Sequence, residues 1–293
     1  MVTVVKVVEL DADRVRGILL GLAAGDRNGG PVRMAKRLAE SLAARRAFDR
    51  DDVARRWHEW FLAGHADDEG SVTRLVLRSL PAVVPFRQQA DAFERAALAV
   101  DARLEGETAG CNPLHRAAPL AMALFIESGS LAAAAIAEAR LTHVHPLAGE
   151  ASAACVVICR ALAEGRPWDE AVARGAEGRL PEVAGAVAGW SGTPPGRGGY
   201  SPEVLHAALH FAGRGASFVE AMEEALRFAG GDNFCPVTVG ALAGARWGAS
   251  AIPASMLEHP KARKLVPRLE KIASRLLGTE GANDSFGMVH RVY

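Results

Sequence analysis

Cysteine is scarce in this 293-residue chain, with Cys111, Cys155, Cys159 and Cys235 the full set. Four such scattered thiols exclude a disulfide scaffold at this length, so a reduced, cytoplasmic setting is expected. Closely spaced Cys/His pairs are also lacking, which argues against a thiolate zinc site. Net charge is lacking as well: 34 Lys and Arg balance 34 Asp and Glu. That disfavours a nucleic-acid partner held by bulk charge. No uninterrupted apolar run approaches the ~18 residues of a membrane span, since Leu120–Ile126 and Leu131–Ala137 stop at Glu127 and Glu138. The apolar start MVTVVKVVEL has no cationic leader and no small-residue cleavage site. It reads as a strand or ordered tail over 1–10 rather than a signal peptide. Elsewhere β-branched runs are missing, and a lone strand has no partner.

What is present is helical periodicity in a globular composition, 49% hydrophobic and 23% charged. In DADRVRGILLGLAAG, Val15, Ile18, Leu19 and Leu22 fall at i, i+3, i+4 and i+7. Val53, Trp57, Trp60 and Phe61 repeat the pattern, with acidic residues at Asp49–Asp52 suited to a helix start. Further helices are predicted over 70–80, 90–104, 113–126, 130–139, 146–164, 167–176, 202–213, 216–229, 235–247 and 260–277. Ser71, Ser130, Pro146, Pro202 and Pro260 mark several of their starts. Their many Ala and Gly residues let helix axes approach closely. The expectation is one all-α, multi-helical domain over 11–293, broken mainly by the Gly/Pro stretch SGTPPGRGGYSP at 191–202.

Polar residues gather where helices begin or end on glycine. Asp26, Arg27 and Asn28 follow the first helix, and Asp67, Asp68 and Glu69 precede another. Asn112, His115 and Arg116 form a third group, and His143 and His145 stand before Pro146. Gly230, Gly231, Asp232, Asn233, Phe234 and Cys235 lead into a small-residue helix. Helix N-termini present unpaired amides that attract phosphate, so such a bundle suits a phosphorylated ligand. Each group also has a structural reading: Asp26 and Asp232 as cap or turn residues, Asp67–Glu69 as acids at a helix start, the histidines as hydrogen-bonding groups. His206 and His210, at i and i+4, form a two-His face without a carboxylate companion.

In order and spacing these clusters resemble the ADP-ribosylglycohydrolase family, from about Arg14 to about Pro253. RGILLGLAAGDRNGG is similar to the family opening RGxLLGLAxGDALG, and DEGSVTRLVLRSL to its DIGxTTRxAL segment. GCNPLHRAAPLAM resembles GNGSLMRxAPLAL, and LTHVHPLAGEA resembles THxHPxAxEA. The stretch from Gly199 through Tyr200 resembles SGYVxDTLxAAL, and VGALAGARWGASAIP the end of the last motif helix. The resemblance implies a multi-helical orthogonal bundle with an ADP-ribose cleft across the helix ends.

It also implies two divalent cations, held by a Thr-Asp-Asp-Thr segment and an Asp-x-Asp-Thr segment. Here the first falls on Gly29, Gly30, Pro31 and Val32. In the second, Asp232 remains while Phe234 and Cys235 replace the Asp and the Thr. A hard cation needs several oxygen ligands, so no metal site and no cofactor are expected. Asp68 and Asp232 become the candidate catalytic carboxylates. The ligand-binding candidates are Asp26, Arg27, Asn28, Asn112, His115, Arg116, His143, His145, Tyr200, Gly230, Gly231, Asn233, Phe234 and Cys235. Two main readings stay open. One is an enzyme that cleaves a ribosyl N-glycoside or related nucleotide-like small molecule without metal. The other is an inactive homologue that binds an ADP-ribose-like ligand or has a structural role. A cleft rebuilt for another small substrate is a variant of the first. Neither a nucleic acid nor a membrane is an expected partner.

Overall fold

The computed structural model describes residues 9–66, 68–192, 196–232 and 234–279. Among them the chain forms fourteen α-helices and no strand, and the only β-type pairing is an isolated antiparallel bridge between Gly110 and Tyr200. The helices are α1 Ala12–Gly25, α2 Gly30–Arg45, α3 Arg50–Leu62, α4 Ser71–Ser79, α5 Gln89–Arg103, α6 Leu131–Ala139 and α7 Pro146–Ala163. They continue with α8 Trp168–Ala176, α9 Pro181–Ala188, α10 Ser201–Arg214, α11 Phe218–Ala229, α12 Pro236–Trp247, α13 Ala254–Leu257 and α14 Val266–Leu277. The architecture is all-α, and the strand or tail expected over 1–10 lies outside the described residues except for Glu9 and Leu10.

Local chemistry sets many of the helix starts. The Asp11 carboxylate accepts from the amides of Asp13 and Arg14 at 2.9 and 3.0 Å, Asp49 accepts from Asp52, and Ser217 accepts from Glu220. Pro146, Pro181, Pro202, Pro236 and Pro267 stand in first turns, where a missing N–H costs nothing.

The bundle is built around the α1–α12 pair, which runs antiparallel with backbone against backbone. A Cβ on Gly17 would lie 2.2 Å from the Gly244 carbonyl oxygen, and one on Gly25 would lie 2.1 Å from that of Pro236. Glycine at every fourth position thus gives each helix a face with no side chains, and the partner backbone fills it. This register places the C-terminal end of α1 beside the N-terminal start of α12. Asp26 and Cys235 therefore meet at one end of the pair.

Two helical expectations need correction. The predicted helix over 113–126 is a turn followed by a 3-10 helix at Ala118–Met122. Pro119 has no amide to donate and would clash with the preceding turn of an α-helix. The predicted helix over 260–277 begins only at Val266, and the short helices α9 and α13 were not anticipated. By length and mean hydropathy α7 could cross a bilayer, which the search for unbroken apolar runs missed because Glu150 and Arg160 interrupt it. Its residues are 83% buried, as in a central core helix. Cys155 and Cys159 both lie on its buried side.

Candidate functional site

At the end of the α1–α12 pair a cavity of about 330 Å³ opens. Its walls come from four separate parts of the chain: Pro31, the Asp68 turn, the 111–115 turn with Cys111, Asn112 and His115, and two loops carrying Arg197–Gly199 and Asp232–Phe234. Of the residues singled out by sequence, Asp68, Asn112, His115, Asp232 and Phe234 are brought together here. Pro31, Cys111 and Arg197 join them. The signal for Arg197 was the Gly/Pro stretch itself, which placed a loop but not this side chain.

The Asp68 wall depends on a constrained turn. Asp68 has φ +55° and Gly70 φ +86°, and a Cβ on Gly70 would fall 2.2 Å from the Asn112 amide nitrogen. Only glycine lets Asn112 pack against this turn. The adjacent Glu69 turns inward and takes a bidentate pair from Arg74 at 2.6 and 3.1 Å. Asp67 lies outside the described residues, as does Asn233.

Arg197 stands on a loop laced to the opposite wall. The Cys111 amide donates to the Gly199 carbonyl at 2.9 Å, and the Ser201 amide donates to Ala109 at 2.9 Å. The Ser201 hydroxyl adds bonds to the Ala109 and Gly110 carbonyls. The Arg197 guanidinium lies 5.7 Å from the Phe228 ring centre, and Phe228 packs edge-on against Phe234 at 5.9 Å. Tyr200 faces away from the cavity and donates its hydroxyl to Glu182. Burial and that carboxylate push the phenol up to about 12.

His115 is 4% exposed, and its Nε2 donates to the Phe234 carbonyl at 2.7 Å. A carbonyl oxygen can only accept, so this bond leaves Nδ1 as the acceptor in the neutral ring. Burial opposes a charge on the ring. The Cys111 side chain, by charge and hydrogen bonding, the Phe234 carbonyl and Asp26 outweigh it and push His115 up to about 9. Cys235 begins α12 behind this pair, and burial and Cys111 push its thiol up to about 12.

The remaining candidates support the site without lining it. Asp26 is buried, and its carboxylate accepts from the amides of Asn28, Gly29 and Val32 at 3.0, 2.7 and 2.8 Å. It therefore fills the N-terminal anion position of α2 that was expected to receive phosphate. Arg27 crosses to donate to the Gly230 carbonyl, and so ties the Gly230–Gly231 turn to the end of α1. Arg116 is fully buried and donates to Glu138 at 2.7 Å and to Thr142 at 2.8 Å, with its guanidinium 4.3 Å from the Trp57 ring centre. The Thr142 hydroxyl in turn bonds His143 Nδ1 at 2.8 Å. Burial, then Arg116, hold His143 well below the ordinary histidine range, so it stays neutral. His145 caps α7 by accepting from the Leu147 amide. His206 and His210 bond the carbonyls of Gly189 and Trp190 and so tie α10 to the end of α9. Among the described residues no group of three or more His, Cys, Asp or Glu is placed to share a metal ion.

The ADP-ribosylglycohydrolase family model matches residues 32–285. Among solved structures, an ADP-ribosylglycohydrolase-related protein complex is similar, with a TM-score of 0.71 and 28% sequence identity over 92% of this chain and 98% of that one. No protein of curated function matches. With a family match over most of its length and a shared all-helical architecture, this chain belongs to the ADP-ribosylglycohydrolase family.

Proposed function

We propose that the cavity binds a ribosyl N-glycoside or a related nucleotide-like small molecule and hydrolyses it with carboxylates rather than with the family's two cations. The observation that carries this reading is that Asp68 and Asp232, 164 positions apart in sequence, line one cavity with Arg197. One carboxylate stabilises the oxocarbenium-like ribosyl transition state and the other draws a proton from the attacking water. Arg197 supplies the positive charge for a phosphate, since Asp26 already fills the amides at the start of α2.

The donor set supports the metal-free part. Two hard cations call for a shell of oxygen ligands. Where the resemblance implies them, this chain carries glycine, proline, valine, phenylalanine and cysteine. Pro31 and Phe234 turn those positions into apolar cavity wall. That same substitution favours the second reading, an ADP-ribose-like ligand bound without turnover.

The experiment is turnover of ADP-ribosyl-arginine, ADP-ribosyl-serine and free nucleosides with and without chelator, beside calorimetry with ADP-ribose. Product that persists under chelation supports hydrolysis by carboxylates. Activity abolished by chelation refutes the metal-free part, and tight binding without product selects the second reading.

A further inference from the structure

The cavity holds a nucleophile that the carboxylate chemistry does not use. Cys111 and His115 both line it, one helical turn apart, with the His115 amide donating to the Cys111 carbonyl at 3.1 Å. The ring is held from behind by the Phe234 carbonyl on Nε2, and its other nitrogen is left to accept. This is the arrangement of a thiol, a base and an orienting acceptor that activates cysteine nucleophiles. Cys155, Cys159 and Cys235 are also buried, and none of them lines this cavity.

We propose that Cys111 is a second reactive centre of this cavity, a thiol nucleophile whose proton is taken by His115, acting on a small ligand with an electrophilic carbon. The Cys111 sulfur forms the bond to that carbon while the bond to the leaving group breaks and the leaving group keeps the electron pair. The thiol proton passes to His115 Nδ1 and from there to the leaving group or to water. The charged state of His115 is supported by the Phe234 carbonyl and by Asp26 beneath it. Asp68, Asp232 and Arg197 face the same space, with Cys235 behind the pair. The proposal goes beyond the ribosyl reading and does not depend on it.

Iodoacetamide tests it on the full chain at neutral pH, with labelled cysteines located by peptide mass mapping. The sulfur displaces iodide, so no turnover of a natural substrate is needed and failure of the ribosyl reading leaves the result intact. Cys111 is expected to label about tenfold faster than Cys155, Cys159 and Cys235, and about tenfold faster than the same residue in the urea-unfolded chain. His115→Asn is expected to remove that advantage while the helical circular dichroism is kept. Labelling of native Cys111 at or below the unfolded rate would overturn the proposal even if that variant failed to fold. So would an unchanged rate in a folded His115→Asn variant.

Discussion

A methyl group on Gly240 would stand 1.9 Å from the carbonyl oxygen of Gly21, and one on Gly21 would stand 2.0 Å from that of Gly240. The clash is with backbone on both sides, so no side chain can swing away to relieve it. Gly240→Ala and Gly21→Ala must each push α1 and α12 apart. The expected cost is about 3 kcal/mol, read as a drop in Tm of about 6 °C in a thermal melt. A melt within a degree of the unmodified protein would refute the close packing.

The Glu138–Arg116 pair is fully buried beneath Trp57. Glu138→Gln removes the only carboxylate facing Arg116 among its described hydrogen-bond partners and leaves a buried charge uncompensated. Urea unfolding is expected to show a loss of about 3 kcal/mol. Because Arg116 does not line the cavity, ligand affinity measured well below the melt should stay unchanged.

Asp52 gives the fold an acid-sensitive contact. Burial works against its charge, but hydrogen bonds from Arg55, Arg56 and Ser41 outweigh it and hold the carboxyl at about 2, below its ordinary 3.8. A lowered carboxyl stabilises the fold above the unfolded value and loses that effect as pH falls through the folded one. Asp52→Asn should therefore cost about 2 kcal/mol at neutral pH and about nothing near pH 2. Unfolding curves taken at both pH values distinguish this from a pH-independent packing defect.

Gly70→Ala acts on the cavity through Asn112. The added Cβ collides with the Asn112 amide and takes up a φ of +86° that a side chain resists. Displacement of the Asp68 turn should weaken ADP-ribose binding about tenfold, measured by calorimetry. Arg197→Ala should weaken a phosphate-bearing ligand by a similar factor while sparing an uncharged nucleoside. Equal losses for both ligands would argue against a phosphate contact.

The parts of the fold that were legible in the sequence are those governed by local rules. The i, i+3, i+4 pattern of Val15, Ile18 and Leu19 gave α1, and the acidic caps at Asp11 and Asp49 gave two starts that the structure keeps. The 113–126 segment was misread because its apolar run outweighed Pro119, whose ring forbids the continuous helix. In the site, helix-end polar residues pointed to Asp68, Asn112, His115, Asp232 and Phe234. Nothing local distinguished them from Arg116 and His143, whose burial depends on Glu138 and Thr142 arriving from elsewhere in the chain. Arg197 was hidden for a related reason: its place depends on hydrogen bonds from its loop to residues 109–111, a contact across about ninety positions.

The side-chain-free seam between α1 and α12 also fixes where the cavity can yield. Helices that touch through their main chains have no rotamers to exchange and no slack to slide on. The floor formed by Asp26, Cys235 and the start of α12 is in effect a single rigid block. Admission of a ligand then falls to the rim, the Asp68 turn and the 196–199 loop, and the reach of Arg197 sets the size of molecule that can enter.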